Sequence, residues 1–284
     1  MNDDEIIIIG ANGQLGKALK IRYPGARFAD SDSLDITDKN AINDYDWSGI
    51  KHILNAAAYT NVDGAETSEG RVLAWKINTQ GVANLAGIAI KHDLTIVHIS
   101  SDYVFDGTKE NHLEVEAFSP LGVYGQTKAA GDLVVSLVPK HYILRTSWVI
   151  GDGDNFVRTM LRLGKQGVEP KVVNDQIGRL TFTSELVKAI DFLNKSNVDY
   201  GTYNISNSGD VVSWADITKE IFYLAGYKLQ VHGITTNEYF KDKAGIAPRP
   251  NKSSLSLDKI SRLGFQLTDW REDLGKYIRK ELDQ

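Results

Sequence analysis

Ser101, Tyr124 and Lys128 are the residues of this chain whose types and spacing could carry chemistry together. Tyr124 and Lys128 stand four positions apart, so on a helix the phenol and the ammonium share one face. A nearby cation is expected to lower the phenol from its ordinary pKa of about 10 and so make proton transfer practical near neutrality. Ser101 closes the apolar run that begins at Thr95, and ligands of open α/β sheets sit at such strand ends. Its hydroxyl could therefore hydrogen-bond the same carbonyl oxygen that Tyr124 protonates. Tyr239 and Lys243 repeat the spacing without a preceding strand and serine, and are read as accidental.

These groups need a frame. Ile6 to Ile9 is a continuous β-branched run that stops at Gly10, and similar runs recur at Ile53 to Ala56, Thr95 to Ile99 and Tyr142 to Leu144. Helix-period stretches lie between them, at Gln14 to Ile21, Lys39 to Tyr45, Glu69 to Lys91 and Lys128 to Leu137. The first strand leads into Gly10-Ala11-Asn12-Gly13-Gln14-Leu15-Gly16, a GxxGxxG turn before a helix. Glycines there let the backbone approach a pyrophosphate, while the helix N-terminus offers N–H groups to it. Asp30 lies 20 residues beyond Gly10, at the end of the next short apolar stretch, where a carboxylate can accept from ribose hydroxyls. Asp38 or Thr37 can cap the helix that follows.

The expected fold class is therefore α/β, a Rossmann-like doubly wound parallel sheet with a smaller C-terminal α/β substrate lobe. Residues 1–150 are assigned to the nucleotide-binding lobe. Residues 151–284 are assigned to the substrate lobe, partly interleaved with the first. Helical stretches at Phe156 to Leu163, Glu185 to Leu193, Trp214 to Ala225 and Trp270 to Leu282 populate the second part, and its strands are short.

Composition narrows the function classes. A net charge of −5 without a basic run argues against nucleic acid, which demands a cationic surface. The chain has no cysteine, which excludes disulfides and thiolate chemistry. Six histidines show no tight ligand spacing and are read as structural or surface residues, so no metal is expected. No apolar stretch reaches the roughly 20 residues of a membrane helix, and the acidic Asn2-Asp3-Asp4-Glu5 start does not look like a secretion signal. A cytoplasmic protein is expected.

In these residues the chain resembles the extended short-chain dehydrogenase/reductase family. The likeness includes Gly10 to Gly16, Leu34-Asp35-Ile36-Thr37, Asn55 to Thr60 with Val62-Asp63 and Glu66, and Ile77-Asn78. It continues through Ser101 to Phe105, Tyr124-Gly125 with Lys128, Arg145 to Trp148, Asn155-Phe156, Asn174-Asp175-Gln176, Arg249-Pro250 with Ser253 and Leu255, and Asp269-Trp270. It is strongest to members that reduce the 4-keto group of dTDP-4-keto-6-deoxy-L-mannose.

The resemblance implies NADPH or NADH as cofactor. Gly10, Asn12, Gly13, Gln14, Leu15 and Gly16 would cradle it, with Asp30, Asp35, Ile36, Ala56, Ala57, Tyr59 and Asn78 along its path. Ser101, Tyr124 and Lys128 would form the catalytic trio. Ser101, Asp102, Tyr103, Trp148, Asn155, Phe156 and Arg249 would meet the sugar nucleotide, Arg249 pairing with its diphosphate. A monomer or homodimer is expected.

The chain departs from the pattern in three places. Ser101 stands where threonine is common, Gly178 to Thr181 lacks a usual proline, and Ala18 replaces an acid that binds a structural metal in some relatives. Two rival readings share the fold. One is another nucleotide-sugar epimerase, dehydratase or reductase, although dehydratases place an acid pair where Asp102 is followed by Tyr103. The other is a non-catalytic protein like the regulatory subunit of methionine adenosyltransferase.

Overall fold

Ile6–Ile9 consists of β-branched residues only, and all four are buried, as a strand covered on both faces requires. In the computed structural model, which describes residues 2–196 and 198–283, this segment is strand β1. The strands that follow are β2 (Arg27–Ala29), β3 (His52–Asn55), β4 (Thr95–Ser101), β5 (His141–Thr146), β6 (Val149–Ile150) and β7 (Lys171–Val173). Beyond them come β8 (Ile177–Gly178), β9 (Thr181–Phe182), β10 (Gly201–Asn204), β11 (Val212–Ser213) and β12 (His232–Ile234). Six form one parallel sheet in the order β10-β5-β4-β3-β1-β2. The chain steps from β1 outward to β2, then crosses back to β3 on the other side. That reversal opens a crevice beyond the carboxyl ends of β1 and β3.

The α-helices are α1 (Gln14–Arg22), α2 (Lys39–Asp44), α3 (Ser68–Trp75), α4 (Val82–Lys91), α5 (Val123–Val135) and α6 (Phe156–Lys165). They continue with α7 (Thr183–Lys195), α8 (Trp214–Leu224), α9 (Thr236–Phe240), α10 (Asp258–Arg262) and α11 (Trp270–Leu282). Strand side chains alternate between two cores. Ile6, Ile8, Leu54 and Leu144 pack with Leu19 of α1 and Ile190 of α7, whereas Ile7, Ile9, Ile53 and Ile143 pack with Leu85 of α4 and Val135 of α5. Burying an isoleucine side chain fully is worth about 2 kcal/mol, so β1 alone anchors the sheet strongly.

A third core, around Trp270, Val157, Ile217 and Leu274, belongs to the later part of the chain. The two parts interleave. β10 is an edge strand of the main sheet, and Tyr203, Leu257, Ile260 and Phe265 join the core under α1 and α7.

Two helices differ from their expected bounds. The stretch from Glu69 to Lys91 is interrupted by a π-helical segment, Lys76–Gly81, which widens the turn around the fully buried Asn78. The helix expected from Lys128 begins at Val123. Its N-cap, Gly122, offers no side-chain acceptor, and the Val123 N–H donates at 2.8 Å to Glu66 Oε1 of a loop far away in the chain. A helix start capped from a distant loop leaves no local signal.

At the carboxyl end of β5, Arg145 donates through Nε to Asp132 of α5 at 3.0 Å, with the two side chains only 4% and 1% exposed. Arg145 also donates to the Glu114 carbonyl at 2.9 Å and lies over the Phe105 and Phe118 rings, fixing the loop that joins β4 to α5. Arg145→Leu, which leaves the carboxylate buried without its partner, should cost about 3–5 kcal/mol in equilibrium urea unfolding. Arg145→Leu combined with Asp132→Leu should cost clearly less. Equal losses would remove the ion pair as the cause.

Candidate active site

The glycine loop folds onto the crevice. Gly10 has φ +77°, and a Cβ there would come within 2.5 Å of the Ala57 nitrogen at the end of β3. A Cβ at Gly16 would strike the Gly10 carbonyl, so α1 can start close to the loop only with glycine there. The resulting cavity, about 340 Å³, is lined by Gly10, Asn12, Gly13, Asp30, Asp35, Ile36, Ala56 and Ala57. These are residues singled out in the sequence, and a backbone cradle of this shape fits a dinucleotide.

Asp30 reaches this cavity with its carboxylate already engaged. Oδ1 accepts from the Ser33 hydroxyl at 2.8 Å and the Ser33 N–H at 3.0 Å, and Oδ2 accepts from the Asn12 amide. Ser33 is the main reason its pKa lies below the ordinary value. Lys20 donates to Asn12 Oδ1 at 2.9 Å, so an Asp30–Asn12–Lys20 chain ties the end of β2 to the glycine loop. Asp38 caps α2.

A second cavity of about 500 Å³ shares Gly13, Ala56 and Ala58 with the first. It brings together Ser101, Asp102, Tyr103, Tyr124, Lys128 and Trp148, with Gln14 and Leu15 at its mouth. Ser101 ends β4, and Tyr124 and Lys128 lie on the first turns of α5. The Ser101 hydroxyl donates to Asp102 Oδ1 at 3.0 Å and accepts from the Tyr103 N–H at 3.1 Å. The Tyr103 ring meets Tyr124 edge-on, 5.4 Å between centroids.

The electrostatics correct one expectation. Burial pushes the Tyr124 phenol up to about 12, with Ser101 pulling the other way. Lys128 does not lower it. Burial instead brings the ammonium itself down to about 8, against the pull of Asp132, and its Nζ donates to the Ile99 carbonyl at 2.6 Å. Desolvation outweighs the charge of the neighbour. Sequence spacing shows proximity but cannot show how dry the site is.

The later part of the chain adds an aromatic wall. Trp148 adopts φ +48°, a left-handed conformation costly for a bulky residue, and stacks on Trp214 with centroids 3.8 Å apart. A Cβ at Gly178 would come to 3.0 Å from the Trp148 ring, so glycine leaves room for it. Phe156 packs obliquely on Trp214 at 4.4 Å. Beyond lies a slot of about 170 Å³ lined by Phe156, Gln176, Trp214, Tyr239, Phe240 and Arg249. Trp214 carries no sequence motif and was found only through this stack. Tyr239 faces the slot, and Lys243 sits over its ring at 4.0 Å, remote from Ser101 in chain and element.

Several selected residues do other work. Arg249 donates to Asp63 Oδ2 and to the Ala247 carbonyl, both at 2.8 Å, so its fork clasps the Tyr59–Glu66 loop to the later lobe instead of lying free for a diphosphate. Asn155 caps α6 through the Arg158 N–H and donates to the Gly151 carbonyl and the Tyr277 hydroxyl. Asn78 is fully buried; its amide holds Tyr59 N–H and C=O and the Thr127 hydroxyl, and so braces α5. Tyr59 packs with Ala65, Val123 and Tyr124 and does not line either cavity.

A parallel sheet with a glycine loop at its switch point, and a serine, tyrosine and lysine converging at the next strand end, defines a short-chain dehydrogenase/reductase. Within that class, residues 4–282 match the family model described as RmlD substrate binding domain. The chain belongs to this family. It is 40% identical to the dTDP-4-dehydrorhamnose reductase of Aggregatibacter actinomycetemcomitans, over 96% of this chain and 98% of that protein. The crystal structure of a dTDP-4-dehydrorhamnose reductase from Clostridium acetobutylicum is similar at TM-score 0.89 and 38% identity, covering 98% of this chain and 99% of that one. That of the Bacillus anthracis dTDP-4-dehydrorhamnose reductase in complex with NADP is similar at TM-score 0.88 and 37% identity, covering 97% and 98%. Among the described residues, no helix is long and apolar enough to cross a membrane.

Asp102 gives this site a pH signature. It is 3% exposed, its Oδ2 has no hydrogen-bond partner among the described residues, and burial raises its carboxyl to about 6. The folded state therefore holds a proton that the unfolded state releases near pH 4, and the contribution of Asp102 to stability should fall by ~3 kcal/mol as pH rises from about 4 to 6. Asp102→Asn should remove that fall and stabilise the protein at pH 7 but not at pH 4. Urea unfolding at both pH values decides it, and a pH-independent effect would show that the carboxyl is not protonated in that window.

Proposed function

We propose that the chain reduces the 4-keto group of dTDP-4-keto-6-deoxy-L-mannose to give dTDP-L-rhamnose, using NADPH or NADH. The observation that carries this reading is the meeting of Ser101, Tyr124 and Lys128 at one end of a groove whose other end closes on the glycine loop. The aromatic slot beyond Trp148 supports a substrate with a flat base. The likeness over nearly the whole chain to proteins of that activity supports the particular sugar. On this reading residues 1–150 hold the cofactor and 151–284 the sugar nucleotide, in a cytoplasmic monomer or homodimer.

Gly10, Gly13 and Gly16 would admit the pyrophosphate, with Ala56 and Ala57 along the dinucleotide. When bound, the reduced nicotinamide supplies the hydride. Tyr124 stays protonated at neutral pH because its phenol is raised to about 12, and it donates to the alkoxide forming on C4. Ser101 turns its hydroxyl proton from Asp102 toward the same oxygen and stabilises the developing charge. Lys128, held by the Ile99 carbonyl, keeps a positive charge behind the phenol as it ionises. Trp148, backed by Trp214, walls the pocket.

A spectrophotometric assay with dTDP-4-keto-6-deoxy-L-mannose and each cofactor in turn tests the activity; no oxidation of either cofactor would refute it. Tyr124→Phe should lower kcat at least about a hundredfold with cofactor affinity retained, and near-normal turnover would remove Tyr124 from the chemistry. Asp30→Ala should shift preference toward NADPH by removing a negative charge from the adenosine end of the groove. An unchanged ratio of kcat/KM for the two cofactors would show that Asp30 serves only the loop.

A further inference from the structure

His98 lies in the middle of β4, fully buried, with Lys128 on one side and Asn55 on the other. Strand alternation points it away from the Ser101 face and toward α5. In β3, Asn55 is its register partner, and the two side chains meet Nδ2 to Nδ1 at 3.0 Å. On its other edge, His98 Nε2 stands 3.5 Å from Lys128 Nζ.

The direction of each hydrogen bond follows from the end of the chain nearest the cofactor groove. The Ala57 N–H donates to Asn55 Oδ1 at 3.1 Å. Turning the Asn55 amide over would set its NH2 against that N–H, so the amide orientation is fixed. Asn55 then offers a donor to His98 Nδ1, which must accept. A neutral imidazole with an accepting Nδ1 carries its proton on Nε2, and that N–H faces Lys128. An N–H facing an ammonium makes no hydrogen bond, but facing a neutral amine it donates to the lone pair.

We propose that His98 is a positioning residue for Lys128: the tautomer imposed by Ala57 and Asn55 sets an N–H against the lysine nitrogen and biases it toward the neutral amine. Burial favours the neutral amine as well, and Asp132 pulls the other way. The Ile99 carbonyl accepts one ammonium proton at 2.6 Å whatever the histidine does. Asp132, one turn further along α5, is paired with Arg145. Tyr124 on α5 is shifted by burial toward its uncharged form, whereas Asp102 beyond β4, raised to about 6, is already ionised where Lys128 titrates. His98 is held far below its ordinary pKa, first by burial and then by Lys128, so it stays neutral and keeps the tautomer. A backbone N–H on the wall of the cofactor groove is thereby linked through two side chains to the protonation of Lys128.

The proposal rests on the reading of Lys128 as part of the reaction only where activity is measured, and the test separates the two. In the full-length protein, two-bond ¹H–¹⁵N correlation spectra of His98 should show Nε2 protonated and Nδ1 bare; the opposite tautomer overturns the proposal. Lysine ¹³Cε shifts, with Lys128→Met supplying the assignment, should give a Lys128 midpoint well below that of the other lysines. His98→Gln sets a carbonyl oxygen within reach of the ammonium and should raise that midpoint by at least about one pH unit, a tenfold gain in proton affinity. An unmoved midpoint in a folded His98→Gln overturns the proposal. The alkaline limb of kcat/KM should move with the midpoint. A midpoint that shifts while the limb stays leaves His98 in control of Lys128 and overturns instead the part given to Lys128 in catalysis.

Discussion

The reversal of strand order between β1 and β3 is the constraint on which the remaining structure turns. Because the chain winds away from β1 in one direction and from β3 in the other, no crossover helix covers the gap above their carboxyl ends. The glycine loop fills the floor of that gap, and Gly10 and Gly16 are required by how closely it packs on Ala57 and α1. β4 is the next strand on the β3 side, so its terminus, with Ser101, opens into the same space. α5 returns across the face of β4 and carries Tyr124 and Lys128 back to the mouth. The separation of 23 positions between Ser101 and Tyr124 is the length of one loop over the edge of the sheet.

Within that space, burial governs proton affinities more than neighbouring charge does. The Tyr124 phenol goes up, the Lys128 ammonium goes down and the Asp102 carboxyl goes up, each with desolvation as the largest cause. All three shifts favour the uncharged form. Tyr124 is therefore uncharged before a ligand arrives, and charge developing on a substrate oxygen would meet hydroxyl dipoles in place of water. The pair most openly ionic, Asp132 with Arg145, stands behind the site and fixes α5 against β5.

Much of this was legible in the sequence. The isoleucine run, the GxxGxxG turn and the order of serine, tyrosine and lysine follow from local rules about buried strands, phosphate loops and helix faces, and each appears where those rules place it. What escaped depends on partners distant in the chain. Glu66 caps α5 from 57 positions away, Trp214 supports Trp148 from far along the chain, and β10 is a short mixed segment that becomes a strand only beside β5. Asn78, Asn155 and Arg249 carry family motifs, yet their polar atoms hold the frame together. His98 has no ligand spacing to mark it in the sequence, and reads there as a structural histidine. A stronger cue was its place three residues before Ser101, on the side facing α5.

The position of β10 also bears on how the chain comes to be folded. Strand β5 is complete by Thr146, but the partner along its outer edge is not made until Gly201–Asn204, and the core beneath it lacks Leu257, Ile260 and Phe265 until later still. During synthesis the first 150 residues therefore emerge with an open row of backbone N–H and C=O groups on a hydrophobic strand, the kind of edge that recruits other chains. The nascent protein stays exposed to aggregation until nearly all of it has left the ribosome. The part of the chain that ends with β5 cannot be detached as a module without reopening that edge.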